Sequence, residues 1–232
     1  MEKNLSEFST VYHQESSIYD RFSQAEDAPG RILQNLLPLL PRDSLLDLGC
    51  GTGKYMALLA PSISSLIGVD ASAEQLQIAQ QKTPGLRYIQ ADAAHIPLLN
   101  QSMSAILACW VLGTVLDESH REAILKESER ILRPGGQMFL VENDIGGAFE
   151  QVRGRDPDPF ERTRRYNSWL LAHGFVMEKR FETFFKFINK KEAKMIFQTI
   201  WGEEAAQRIN SKKINHRIII FSRVFDQHEQ LS

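Results

Sequence analysis

The chain has 232 residues, 43% apolar and 24% charged, with a formal net charge of −2. This composition excludes collagen-like, low-complexity and intrinsically disordered chains, and two cysteines are too few for a disulfide scaffold. The length allows one domain with a sizeable core. Charge is uneven along the chain: residues 1–150 carry 11 Lys/Arg against 19 Asp/Glu, and residues 151–217 carry 15 against 8. A basic second part either attracts an acidic substrate or RNA, or is a solvated face.

The first residues, MEKNLSEFSTVYHQ, lack the apolar core of a signal peptide. The longest apolar run, residues 105–116, is shorter than the roughly 20 residues that span a bilayer. The expectation is a cytoplasmic protein without membrane association, whose Cys50 and Cys109 are buried free thiols with no metal-type spacing.

In chain order, residues 5–26 read as one or two loose helices with scattered aromatics. APGRILQNLLPLLP reads as a helix ended by Pro38 and Pro41. From residue 44 the pattern is strand, turn, helix, repeated. Strands are expected at 44–48, 65–70, 86–90, 104–110 and 137–142, and helices at 53–60, 73–82 and 118–132. The strands are short and apolar, as in a parallel sheet covered on both faces. RPGG stops the last of these helices. A helix at about 160–173, a long strand FVMEKRFETFFKF, a helix over 189–209 and a final strand HRIIIFSRVF follow, suggesting an antiparallel edge. No linker divides the chain. It reads as one domain: a helical cap (1–40), a core (41–145) and a substrate-side elaboration with the terminal strands (146–232).

SLLDLGCGTGKY places Gly49, Gly51 and Gly53 between a strand and a helix. Such a turn reads as a plain tight turn, a dinucleotide loop or a nucleoside site. Lys54 stands where the third glycine of the dinucleotide fingerprint belongs, and no P-loop Gly-Lys-Ser/Thr follows. Asp47, Asp70 and Asp92 lie at the ends of the first three strand units, where an open α/β sheet binds ligands. Singly each has a plain alternative, Asp70 as a helix cap and Asp92 as a turn former. Together they favour a nucleoside site.

The stretches LLDLGCGTGKY, LIGVDASAEQLQIAQ, YIQADAAHIPLLNQS and SERILRPGGQMFLVEN resemble the class I S-adenosylmethionine-dependent methyltransferases, in the group that includes the ubiquinone and menaquinone biosynthesis enzymes. The resemblance covers roughly residues 40–145. It implies a Rossmann-like seven-stranded sheet, mostly parallel with an antiparallel last strand and helices on both faces. It implies S-adenosyl-L-methionine as cofactor, with Gly49, Cys50, Gly51 and Gly53 around the methionine part and Asp47 near its amino group. Asp70 would hold the ribose hydroxyls with Ala71 beside the adenine, Asp92 and Ala93 would meet the adenine amino edge, and Cys109 and Trp110 would run under the sulfonium. Two departures stand out: Met103-Ser104 replaces a usual Phe-Asp pair, and Gly113-Thr114 stands where a His is often found. Both put in doubt any acceptor inferred from better-known relatives.

Such chemistry needs alignment of a nucleophile with the methyl carbon in a dry site, and no metal. The sequence identifies no catalytic residue. His13 is a candidate base, while His95 and His173 read as structural. The aromatics Tyr12, Tyr19, Phe22, Phe197 and Trp201 lie in segments that would wall a small organic acceptor, or pack as a lid for its own stability. The expected acceptor is a small metabolite methylated on O, N or C. Rival readings are a tRNA-modifying enzyme, which the acidic pI and short basic runs disfavour, and a non-catalytic cofactor-binding partner subunit. The oligomeric state, monomer or homodimer, is not legible.

Overall fold

The computed structural model describes residues 12, 14–154 and 158–226; His13 lies outside the described residues. Seven strands form one sheet: β1 (Ser44–Leu48), β2 (Ser65–Asp70), β3 (Arg87–Gln90), β4 (Met103–Cys109), β5 (Leu132–Asn143), β6 (Val176–Lys186) and β7 (Lys213–Phe225). Their order is β3-β2-β1-β4-β5-β7-β6. The pairs among β1–β5 are parallel, and β7 runs antiparallel to both neighbours. The antiparallel strand therefore lies inside the sheet, and β6, which runs with the first five, forms the edge. The helices are α1 (Ser16–Ala25), α2 (Arg31–Leu36), α3 (Lys54–Leu59), α4 (Ala73–Lys82), α5 (Glu118–Ile131), α6 (Ala148–Arg153), α7 (Glu161–Ala172), α8 (Lys190–Trp201) and α9 (Glu203–Gln207). None of the described helices is long and apolar enough to cross a membrane.

Strand alternation divides the core in two, because successive side chains point to opposite faces. Leu46, Leu48, Ile106, Ala108, Met138 and Leu140 meet α5 and α7 on one face. Leu45, Ala105, Leu107, Phe139 and Val141 meet α2, α3 and α4 on the other. A third cluster, around Phe22, Phe149, Phe185, Phe197 and Ile214, joins α1, α6, α8 and α9 to the last two strands. It stands over the carboxyl ends of the parallel strands, because β7 begins at Lys213 whereas its pairing with β5 starts only at Ile218. That overhang provides a side wall for whatever occupies the sheet's carboxyl edge.

Three boundaries differ from the sequence reading. β5 begins at Leu132, directly after α5, and the RPGG stretch is a bulge: Met103 pairs with Leu132 and Ala105 with Gln137. The 189–209 helix breaks at Gly202, whose φ of 87° a helical residue does not adopt. The 28–41 helix spans only Arg31–Leu36, with both oxygens of Asp27 accepting from the amides of Arg31 and Ile32 at 3.0 and 2.8 Å. Ser72, not Asp70, caps α4 by accepting from the Gln75 amide.

Candidate functional site

The turn after β1 has Gly49, Gly51 and Gly53 at φ of 67°, 53° and 77°. These left-handed values already favour glycine, and the surroundings add to the requirement. A Cβ on Gly49 would collide with Val111, and one on Gly53 would stand 2.9 Å from the Ala79 Cβ. At Gly51 a Cβ would meet the Tyr12 hydroxyl at 3.2 Å and the Tyr19 ring at 3.7 Å, on the open side of the turn.

Two clefts open at the carboxyl edge and share Tyr19, Gly49, Cys109, Trp110 and Thr114. One is lined by Asp70, Ala71, Asp92 and Ala93, with Val111, His120 and Ile124 opposite. The other encloses about 1210 Å³, its open mouth included, above Asp47, Cys50 and Gly51. Its walls come from α1 (Phe22, Glu26), α6 (Phe149, Arg153), α7 (Arg162, Thr163, Tyr166) and α8 (Trp201). Of the site residues expected from the sequence, only Gly53 lines neither cleft. Phe22 and Trp201 face the second cleft, whereas Phe197 is wholly buried in the third core cluster. Cys50 is a buried free thiol, but Cys109 is only half-buried, a correction that follows from its place at the strand end between the clefts.

Asp70 is buried and heavily engaged. Its Oδ2 accepts from the Gly51 amide at 2.9 Å and from the Tyr12 hydroxyl at 2.6 Å, and its Oδ1 accepts from the Ser72 amide at 2.9 Å. Asp47, also buried, has an Oδ2 with no hydrogen-bond partner among the described residues. Burial first, and the charge of Asp70 second, push its carboxyl up to about 8. Asp92 sits half-exposed at the mouth, where its Oδ1 accepts from the Ala94 amide at 2.8 Å and faces His120 Nε2 at 3.4 Å.

Lys54, notable in the sequence only for breaking a motif, anchors the cap. Its Nζ donates to the carbonyls of Ser23 and Glu26, both at 2.7 Å, at the C-terminal end of α1. A cation there also faces the negative end of the helix dipole. Thr52 Oγ1 donates to Asp20 at 2.6 Å, and Lys82 pairs with the same carboxylate.

Sequence reasoning missed four polar groups at or beside the second cleft. Glu142, at the end of β5, accepts from the Tyr166 hydroxyl at 2.8 Å and is pushed up to about 8 by burial, against the hydrogen bonds that stabilise its charge. Asn143 Oδ1 accepts from the Trp110 indole at 2.8 Å and lies 2.8 Å from His216 Nε2. An acceptor oxygen shared with an indole N–H requires His216 to carry its proton on Nε2. Burial holds the His216 imidazole well below its usual range, so it is neutral. Glu26, 3.7 Å from His216 Nδ1, is likewise pushed up by burial, with Lys54 opposing. A polar residue closing an apolar strand was the available signal for Glu142; His216 had none, because β7 had no assigned neighbour in the sequence.

The two sequence departures separate here. Ser104 sits at the start of β4 against Asp43 and Ser44, at the opposite end of the sheet from the clefts. Gly113 is inside the second cleft: a Cβ there would stand 3.2 Å from both Glu142 Oε2 and the Tyr166 ring. Its lack of a side chain is what lets Tyr166 reach Glu142.

A methyltransferase domain family matches residues 46–140. Among curated proteins, the chain is 38% identical over 125 residues to trans-aconitate 2-methyltransferase of Deinococcus radiodurans, covering 53% of this chain and 46% of that one. It is 29% identical over 174 residues to a malonyl-[acyl-carrier protein] O-methyltransferase of Pectobacterium atrosepticum, covering 75% and 66% respectively. The chain spans about half the length of several of the curated relatives it matches. A solved S-adenosylmethionine-dependent methyltransferase from Thermotoga maritima superposes with a TM-score of 0.60 at 19% identity, over 94% of this chain and 99% of that one. One from Methanosarcina mazei gives 0.54 at 20% identity, over 82% and 97%. Sheet order and matched segment agree: residues 46–140 match a methyltransferase domain, in a chain that has the fold of solved S-adenosylmethionine-dependent methyltransferases.

Proposed function

We propose that the chain, working as one domain, transfers a methyl group from S-adenosylmethionine to an O, N or C atom of a small-molecule acceptor held in the cleft above Asp47. The observation that carries this reading is the pairing of an unpartnered buried carboxylate at Asp47 with a fully engaged one at Asp70. Leaving a buried polar group unsatisfied costs about 1–3 kcal/mol, and more for a charged one, so Asp47 fits a ligand that brings a cation. The amino group of the cofactor's methionine is such a cation. Asp70 fits the ribose: its Oδ2 now holds the Tyr12 hydroxyl, an arrangement a ribose hydroxyl reproduces. Ala71, Asp92 and Ala93 then border the adenine, and Cys109 and Trp110 separate the nucleoside cleft from the acceptor cleft.

When bound, the cofactor supplies a methyl group already activated on a cationic sulfur. The chain's part is to position the acceptor and keep water out. Phe22, Phe149 and Trp201 give the acceptor cleft apolar walls from the third core cluster. Glu142, held by Tyr166 and pushed up to about 8 by burial, carries its proton at pH 7 and becomes able to accept one from the nucleophile as pH rises through that value. The acceptor named for one relative, trans-aconitate, is a small molecule and supports the reading; that of another, malonyl-[acyl-carrier protein], is a small acid carried on a protein.

Calorimetry with S-adenosylhomocysteine, together with transfer of labelled methyl to a fractionated cell extract, tests it. Asp70→Ala is expected to lose charged hydrogen bonds worth about 1.5–3 kcal/mol, a roughly 10- to 150-fold weaker affinity. Label is expected in the small-molecule fraction. Label confined to RNA, or no binding by the unmodified protein, overturns the proposal.

A further inference from the structure

The basic half of the chain places part of its charge beside the acceptor cleft. A groove between α5 and α7 is lined by Arg121, Arg162 and Arg165 over the rings of Tyr166 and Trp169. It runs into the acceptor cleft, because Gly113, Arg162 and Tyr166 line both.

Arg121 is half-buried among aromatic rings, whereas Arg162 and Arg165 are exposed. The Arg121 guanidinium lies 4.6 Å from the Trp169 ring centre and 5.8 Å from that of Tyr166, and its Nε is buried without a hydrogen-bond partner among the described residues. The two rings are stacked, 6.3 Å apart and 13° from parallel. Trp169 is held in turn by donating its indole N–H to Glu118 at 2.9 Å. Aromatic faces fix a guanidinium without neutralising it, which leaves its fork free for an oxyanion. Arg162, whose Nη2 donates to the Gly113 carbonyl at 2.9 Å, and Arg165 are three residues apart on α7, so they share a face and repel. Arg165 is exposed and forms no ion pair among the described residues. Arg164, by contrast, is paired with Asp158 at 3.0 Å. Glu118 and Glu161 are the groove's two carboxylates.

We propose that this groove binds an anionic group, phosphate or carboxylate, on the far end of the acceptor, whose reacting end passes Gly113 and Tyr166 into the apolar cleft. The proposal rests on the methyl-transfer reading and names its acceptor class as an organic anion. Guanidinium groups recognise both oxyanions by paired N–H donors. The acceptor's apolar body then meets Phe149 and Trp201, and the charged end stays near water.

The test is titration of the full-length protein, with S-adenosylhomocysteine present and absent, using inorganic phosphate, benzoate and a short single-stranded RNA. Quenching of Trp169 fluorescence, assigned with Trp169→Phe, reports occupancy of the groove. At least one small anion is expected to bind, and Arg121→Gln to weaken it tenfold or more. Arg165→Gln, at an exposed position that the fold does not need, is expected to weaken it threefold or more without changing the melting temperature. Phosphate alone binding assigns a phosphorylated acceptor; benzoate binding assigns an acid. No binding of either anion, binding untouched by both variants, or binding of RNA alone overturns the proposal. S-adenosylhomocysteine affinity in the same titrations is the separate check: its loss in the unmodified protein removes the methyl-transfer reading, whatever the anions do.

Discussion

Asp47 shows what a buried carboxylate costs in the free protein. It is buried, its Oδ2 lacks a partner among the described residues, and its carboxyl is pushed up to about 8. At pH 7 it therefore carries its proton in the free protein. An ammonium placed against it favours the carboxylate, so on the proposed reading cofactor binding would expel that proton. Calorimetry at pH 7 in buffers of different ionisation enthalpy should report release of close to one proton. Asp47→Asn, of the same shape, should abolish the release and weaken binding roughly tenfold or more, the loss of about 1.5–3 kcal/mol for a charged hydrogen bond. A release unchanged in that variant would place the amino group elsewhere. Tyr12 belongs to the same scale: its hydroxyl on Asp70 keeps that carboxylate satisfied.

Among the elements, α1 is the one whose attachment matters most to the site. Its inner face gives Phe22, whose ring centre lies 5.0 Å from Phe185 and 5.2 Å from Trp201. Its outer turn is tied to the glycine loop through Lys54, Thr52 and Lys82. The cap and the cofactor loop are thus mechanically one unit, although about 30 residues separate them. Lys54→Met keeps the apolar stem but removes both charged hydrogen bonds to α1, a loss of about 2–3 kcal/mol. Faster amide exchange across residues 16–26, with β1 and β4 unchanged, is the expected result. Unchanged exchange would mean that the Phe22 cluster alone holds the cap.

For the whole molecule, buried ionisable groups set the response to pH. Asp47 and Glu142 are pushed up to about 8, against an unfolded value of about 4. Between those values the native state holds protons that the unfolded chain has lost, so stability falls as pH rises and levels off above about 8. His216 acts in the opposite sense: buried neutral, it costs stability as pH falls below about 6.5. With Glu26, which burial raises in the same direction, these carboxylates outweigh one imidazole between pH 5.5 and 8. Thermal melting should therefore occur several degrees lower at pH 8 than at pH 5.5, since 1 kcal/mol moves Tm by about 2–4 °C at this size. Glu142→Gln should flatten that slope; an unchanged slope would remove Glu142 from the account.

The sequence by itself determined the parallel half of the sheet and the carboxylates at its carboxyl edge. Short, continuously apolar strands alternate with short helices between residues 44 and 131, and each of the first three strand units carries a carboxylate at or just past its end, so Asp47, Asp70 and Asp92 could be placed without any long-range contact. Those features are local, and local chemistry suffices to read them. The acceptor side depended on tertiary structure. Glu142 meets Tyr166 across 24 residues, His216 meets Asn143 across 73, and Arg121 meets Trp169 across 48. Such partners become neighbours only when β7 inserts between β5 and β6 and α7 packs beside α5. Periodicity shows that a segment has a buried face; what that face meets is settled by packing, and the acceptor cleft is made almost wholly of such meetings.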